Sequence, residues 1–300
     1  MTRKRVAVVG VAAAAAVAAA VVVAVSHSGP SKKHTDVAHY IEDVDTVQQQ
    51  MKPLLIKTSR AFRAFSNGSA IRVEDLSNAR TTLHMLQARL RGLEAPAPAA
   101  RLHTLILRLT DAEERIAAEV ESLALFAPRY SRLIRRTQTA SVQLSKALAA
   151  VRPPAAHRIR GTKKQVAAAR AAFQRAASDA AAQQADAVTA YVAALVSASR
   201  ALQRMHPPPL MRPSYRTQLH TFSASIASGT KLATELRKQD RSRLPEVSRR
   251  FTIASRLAGA VTAQQAQRAA IQAYNARVRN IGSLQGQIRQ ELFRLQTTAG

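Results

Sequence analysis

Apolar residues recur at spacings of three and four along most of this chain, and prolines interrupt them at most changes of register. That spacing puts one stripe on each helix face, and a proline inside or after a stripe kinks or ends the helix. Val37, Tyr40, Val44, Val47, Met51, Leu54 and Phe62 form the first stripe, from about Asp36, with Pro53 inside it. Leu76, Leu83, Leu86, Leu90 and Leu93 form a second, ended by Pro96 and Pro98. The third, Leu102 to Leu123, reaches Phe126, and Pro128 is expected to open a separate fourth helix that ends at Pro153, Pro154 and Gly161. A fifth helix spans about 162 to 205, a sixth 214 to 239 and a seventh runs from Pro245 almost to the C-terminus. Asn67-Gly68-Ser69 is a turn signal between the first two.

Composition supports helices over strands. The chain has ten Gly, seven Phe and five Tyr, no Trp and no Cys, so there is little material for strands and no disulfide framework. The predicted fold class is all-α: an N-terminal transmembrane helix, then an antiparallel bundle of long helices joined by short proline turns. One element resists assignment. Between Val166 and Val188 of the fifth helix Phe173 is the only large apolar residue. That segment either packs very closely on a neighbour or stands solvated.

The N-terminus sets the expected address. After Arg3, Lys4 and Arg5 come twenty residues, Val6 to Val25, made of ten Ala, nine Val and Gly10. At about 1.5 Å per residue this run matches a hydrocarbon layer of roughly 30 Å. Cations on its N-terminal side predict a cytoplasmic N-terminus and export of the rest. The run exceeds the usual signal-peptide core, which favours a retained anchor. Ala24-Val25-Ser26 nevertheless fits cleavage and secretion, and the absence of Leu, Ile and Phe makes the run only marginally hydrophobic. The expected organisation is a cytoplasmic tail (1–5), a single-pass anchor (6–25), a linker (26–35) and two bundle halves, 36–160 and 161–300.

The two halves share a pattern. Leu83, Leu90, Leu93 and Pro96 align with Leu195, Leu202, Met205 and Pro208. After a longer turn Leu102-His103-Thr104 aligns with Leu219-His220-Thr221, and Pro128, Ser131 and Arg132 with Pro245, Ser248 and Arg249. The order helix, proline turn, helix, proline, helix predicts duplication of a three-helix unit. An export anchor followed by Ala/Arg-rich helices broken at such turns, here Leu90 to His103 and Leu202 to His220, resembles uncharacterised membrane-anchored envelope proteins of high-GC Gram-positive bacteria. That resemblance implies an envelope location and carries over no functional residue.

Charge is the strongest chemical signal: 45 Lys and Arg oppose 18 Asp and Glu. From Ser122 to Ser178 there are twelve cations and no acid, and from Val247 to Gln290 seven Arg and no acid. Arg129, Arg132, Arg135 and Arg136 on one helix, and Arg158, Arg160, Lys163 and Lys164 around the next turn, form the candidate polyanion-binding set. A merely solvated Arg-rich face, from a G- and C-rich codon bias, is the plainer alternative. Export argues against nucleic acid as the partner, as does the scarcity of aromatic platforms among these cations. Anionic wall polymer and lipid head groups remain.

Other candidates are thinner. Asp36, His39 and Asp43 share a helix face with spacing compatible with a metal, although acids in a first turn also suit the helix dipole. His103 and His220 occupy equivalent places and are expected to close their proline turns by bonding to backbone. Glu113, Glu114, Glu119 and Glu121 lack the Glu-x-x-His partners of a di-iron bundle. No nucleophile elbow, phosphate loop, Cys nucleophile or His-Glu-x-x-His occurs, so the expectation is a non-enzymatic protein with no cofactor. An extracytoplasmic sensor, or a small-ligand or metal module, is the alternative. Finally, Ile271, Tyr274, Val278, Ile281, Gln285, Ile288, Leu292 and Leu295 form a heptad seam. It either docks on the chain's own fifth or sixth helix or pairs copies as a homodimer through 271–295, with Gly282 and Gly286 permitting close approach.

Overall fold

In the computed structural model the described residues are 32–69, 71–152, 162–240, 242–260 and 263–297. They form α-helices with two short 3-10 turns and no strand: α1 (Lys32–Ser66), α2 (Val73–Arg91), α3 (Ala100–Ala150), α4 (Lys163–Gln203), α5 (Arg212–Lys238), α6 (Leu244–Ala260) and α7 (Ala263–Thr297). None of these helices is long and apolar enough to cross a membrane. The expected tail and anchor (1–25), most of the 26–35 linker, and Arg158 and Arg160 lie outside the described residues.

Of the two expectations at Pro53, a kink or a split, the split does not occur, and Pro128 does not start a new helix, because α3 runs through it to Ala150. Proline removes one backbone donor, a local loss that packing on both sides can outweigh. Around Pro128, Leu123, Ala124, Phe126, Tyr130, Leu133 and Ile134 are all buried. At the corresponding Pro245 the chain does break. Gln239 closes α5 in the left-handed conformation, φ 57°, and Pro245 sits in the first turn of α6. Both of the aligned proline turns contain a 3-10 turn, Ala97–Ala99 and Pro209–Met211.

The chain forms two compact units, discontinuous in sequence. Unit 1 contains residues up to Leu125, 208–210 and 267–300, and unit 2 contains 126–207 and 211–266. The change of unit therefore falls inside α3, three residues before Pro128.

Unit 1 brings together α1, α2, the first half of α3 and α7. Gly68, at φ +73°, turns the chain from α1 to α2, and Ser69 N–H donates to Ala64 C=O at 2.8 Å. Arg80 pairs with Glu121 at 3.0 Å and Arg91 with Asp111 at 2.9 Å, so α2 runs antiparallel to α3. Arg277 pairs with Glu119 and Arg101 with Glu291, which makes α7 antiparallel to α3 as well. The Phe62 and Tyr274 rings stack at 3.6 Å between α1 and α7. The heptad seam of α7, half-buried Leu292 apart, is thus buried, with Tyr274 stacked on Phe62 of α1 and the neighbouring Arg277 paired with Glu119 of α3. The close approach expected at Gly282 and Gly286 does not occur: no atom lies within 4 Å of a Cβ built there.

Unit 2 combines the second half of α3 with α4, α5 and α6; α5 packs on both α4 and α6. The close approach lies here. A Cβ on Gly229 of α5 would meet Val192 Cγ2 of α4 at 2.6 Å and Phe251 Cε2 of α6 at 3.1 Å. Small polar residues share that seam, and Ser225 Oγ donates to Ala254 C=O at 2.7 Å. Tyr215 Oη donates to Leu202 C=O at 3.1 Å, closing the end of α4 where a histidine was expected to act.

The Ala-rich question also resolves. No residue of α4 from 163 to 179 is buried, whereas Ala180, Ala185, Val188, Tyr191 and Leu195 beyond it are. This stretch stays helical on local terms. Ala has the highest helix propensity, and Thr162 and Gln165 form a reciprocal capping box with bonds of 3.4 and 2.9 Å.

Candidate polyanion-binding surface

The two units handle charge differently. Among the described residues unit 1 has 18 Lys and Arg against 13 Asp and Glu, whereas unit 2 has 21 against five. In unit 1 the acids are placed to meet the cations. Besides the pairs above, Glu291 accepts from Arg294 at 2.6 Å, and that bond, with help from Arg101, holds its carboxyl below the usual range. In unit 2 only Arg237 with Asp186, Arg243 with Asp240 and Arg250 with Glu246 pair among the described residues.

The α3 arginines are built by the same periodicity that builds the core. Tyr130, Leu133, Ile134, Thr137, Ala140 and Leu144 are buried on one side. At about 100° per residue, Arg129, Arg132, Arg135 and Arg136 fall within an arc of about 120° on the other side, and all four are exposed. None has an acidic partner among the described residues. Like charges three and four residues apart cost an isolated helix a few tenths of a kcal/mol per pair, so this stripe does not exist for stability. Lys163 and Lys164 are exposed in the first turn of α4, joined along its solvated stretch by Arg170 and Arg175.

The remaining candidates separate. Asp36, His39 and Asp43 are exposed, His39 Nδ1 lies 4.0 Å from Glu42, and among the described residues no three His, Asp or Glu converge as a metal site requires. His103 Nδ1 hydrogen-bonds Tyr40 Oη at 2.9 Å across two helices, in place of the expected backbone bond, and His220 is exposed. Glu114 meets His84 at 3.2 Å. Glu113 is 4% exposed, and burial pushes its carboxyl up to about 8.

One feature was missed in the sequence. A groove of about 610 Å³ in unit 2 lies between α3 and α6 and is floored by α4 and α5. Its signal was the run of Ser141, Ser145, Ser248, Thr252 and Ser255 on helix faces that also carry Leu144, Leu148 and Phe251.

No family model matches this chain, and neither characterised proteins nor solved structures show a significant match to it.

Proposed function

We propose that this chain is a non-enzymatic, membrane-anchored helical protein whose helical part lies outside the cytoplasm and binds anionic wall polymer or lipid head groups through unit 2. The observation that carries this reading is the exposed α3 stripe without acidic partners, in a unit whose described residues hold 21 cations and five acids. Such a surface raises the local concentration of phosphate-bearing partners and gains about 1 kcal/mol per cation near a charged lipid surface. Long arginine side chains on a rigid helix suit phosphates, because each guanidinium presents a fixed fork of donors. The apolar run 6–25 behind three cations supports the anchor and its orientation.

The chain has no Cys, which allows a clean test of compartment. A single Gln138→Cys, on the exposed side of α3, is expected to react with a membrane-impermeant maleimide added to intact cells. The same full-length protein, purified, is expected to retain both phosphatidylglycerol vesicles and phosphate-bearing wall polymer at low salt and to release them as salt rises. Labelling only after lysis overturns the location, and failure to bind either anion overturns the function.

A further inference from the structure

The groove between α3 and α6 has an apolar floor and polar walls. Along α6 it starts at Leu244 and Pro245 and ends at Ser255 and Arg256, a length of about 18 Å at helical rise. Its floor is apolar, with Val188, Leu232, Leu236 and Phe251 all buried. Hydroxyls line the walls, and among the described residues no lining residue is acidic and Arg256 is the sole cation. A groove of this size, with an apolar floor and polar walls, falls in the volume range of small-ligand sites, about 300–1,000 Å³. Water fills such a trough poorly, since most of its floor offers no hydrogen bond.

We infer that this groove binds a single-chain amphipathic anion, a fatty acid or lysophospholipid. The acyl chain lies along Leu148, Leu236 and Phe251, and the anionic head meets Arg256, Ser255 and Thr252. Two observations outside the floor support this occupant. The described residues of unit 2 hold 21 Lys and Arg against five Asp and Glu, and the outer face of α6 carries Ile253 and Leu257, 50% and 52% exposed, flanked by Arg249, Arg250 and Arg256. An exposed apolar pair one turn apart with cations beside it suits contact with a lipid surface, from which a single-chain lipid could enter the adjoining groove. A neutral ligand leaves Arg256 unused, and a polar ligand leaves the leucine floor wet. This site is separate from the α3 stripe and does not rest on the reading given for it.

The test uses full-length protein in phosphatidylcholine nanodiscs and a palmitate carrying a mid-chain diazirine. Cross-linked peptides are expected to map to 141–148 and 244–256 and to be competed by unlabelled palmitate or lysophosphatidylglycerol. Ser248→Trp, which fills the groove from an exposed position, and Arg256→Glu, also at an exposed position, are each expected to lower the yield at least about fivefold. The methyl ester is expected to label weakly. Replacing Arg129, Arg132 and Arg136 by Glu is expected to leave the yield unchanged, which separates this site from the α3 surface. Labelling spread over all helices, equal labelling by the ester, or a yield indifferent to Ser248→Trp overturns the assignment.

Discussion

The same substitution should act with opposite sign at two glycines. Gly229 and Gly282 both sit inside helices, where replacement by Ala removes the backbone freedom of glycine and gains about 1 kcal/mol if nothing else changes. Around Gly282 nothing else does change. The position is exposed and no atom lies within 4 Å of the added Cβ, so Gly282→Ala is expected to stabilise by about 0.5–1 kcal/mol. At Gly229 the added carbon meets Val192 Cγ2 at 2.6 Å and Phe251 Cε2 at 3.1 Å. Val192 holds one strongly preferred rotamer in a helix, and Phe251 is fixed edge-on against Tyr191 at 6.0 Å. Neither can give way without moving α4 or α6. Overpacking of this kind costs about 1–3 kcal/mol, which offsets the propensity gain and leaves Gly229→Ala destabilised by about 1 kcal/mol. Urea unfolding followed by circular dichroism at 222 nm measures both variants against wild type. A stabilised Gly229→Ala, equal to Gly282→Ala, would refute the close approach of α4, α5 and α6.

Three further outcomes follow from unit 1 and the α4 start. Glu113, raised to about 8 by burial, stabilises the fold only while protonated, so stability is full below the ordinary carboxyl value and falls as pH rises through about 8, at up to about 1.4 kcal/mol per unit. Glu113→Gln is expected to remove that slope; a difference from wild type that stays constant from pH 5 to 9 contradicts this reasoning. Phe62→Ala opens a hole beneath the Tyr274 ring and is expected to cost about 3–5 kcal/mol by urea unfolding, with a loss under 1 kcal/mol counting against the stacked pair. Thr162→Ala removes the capping box and is expected to speed hydrogen exchange over 163–170 while leaving the global midpoint in place, because no residue of that stretch is fully buried; unchanged exchange contradicts a locally supported helix.

Helix identity and core faces were legible in the sequence because period and burial coincide: Leu83, Leu90, Leu102, Val120, Leu195 and Leu202 are all almost fully buried. What was not legible lies in choices that period leaves open. Pro128 and Pro245 look alike as letters, yet buried neighbours on both sides carry α3 through the first, while α6 starts at the second. The α7 stripe reads as a seam but does not name its partner, and stacking of Tyr274 on Phe62 is a contact between residues far apart in the chain. Gly282 and Gly286 drew attention by flanking a polar seam position, whereas Gly229 stood inside an ordinary helix. The arginine stripe was visible as spacing. Its lack of partners depended on where the acids went, and most of them lie in unit 1.

The central claim is that the α3 stripe holds phosphate-bearing surfaces by charge. It is tested most directly by binding phosphatidylglycerol vesicles to full-length protein held in phosphatidylcholine nanodiscs, comparing wild type with the variant carrying Glu at 129, 132 and 136. At about 1 kcal/mol per cation, removing three cations and adding three acids is expected to weaken binding at least ~100-fold at low salt. The gap should narrow as salt rises. Equal binding by the two proteins at every salt concentration would contradict the account.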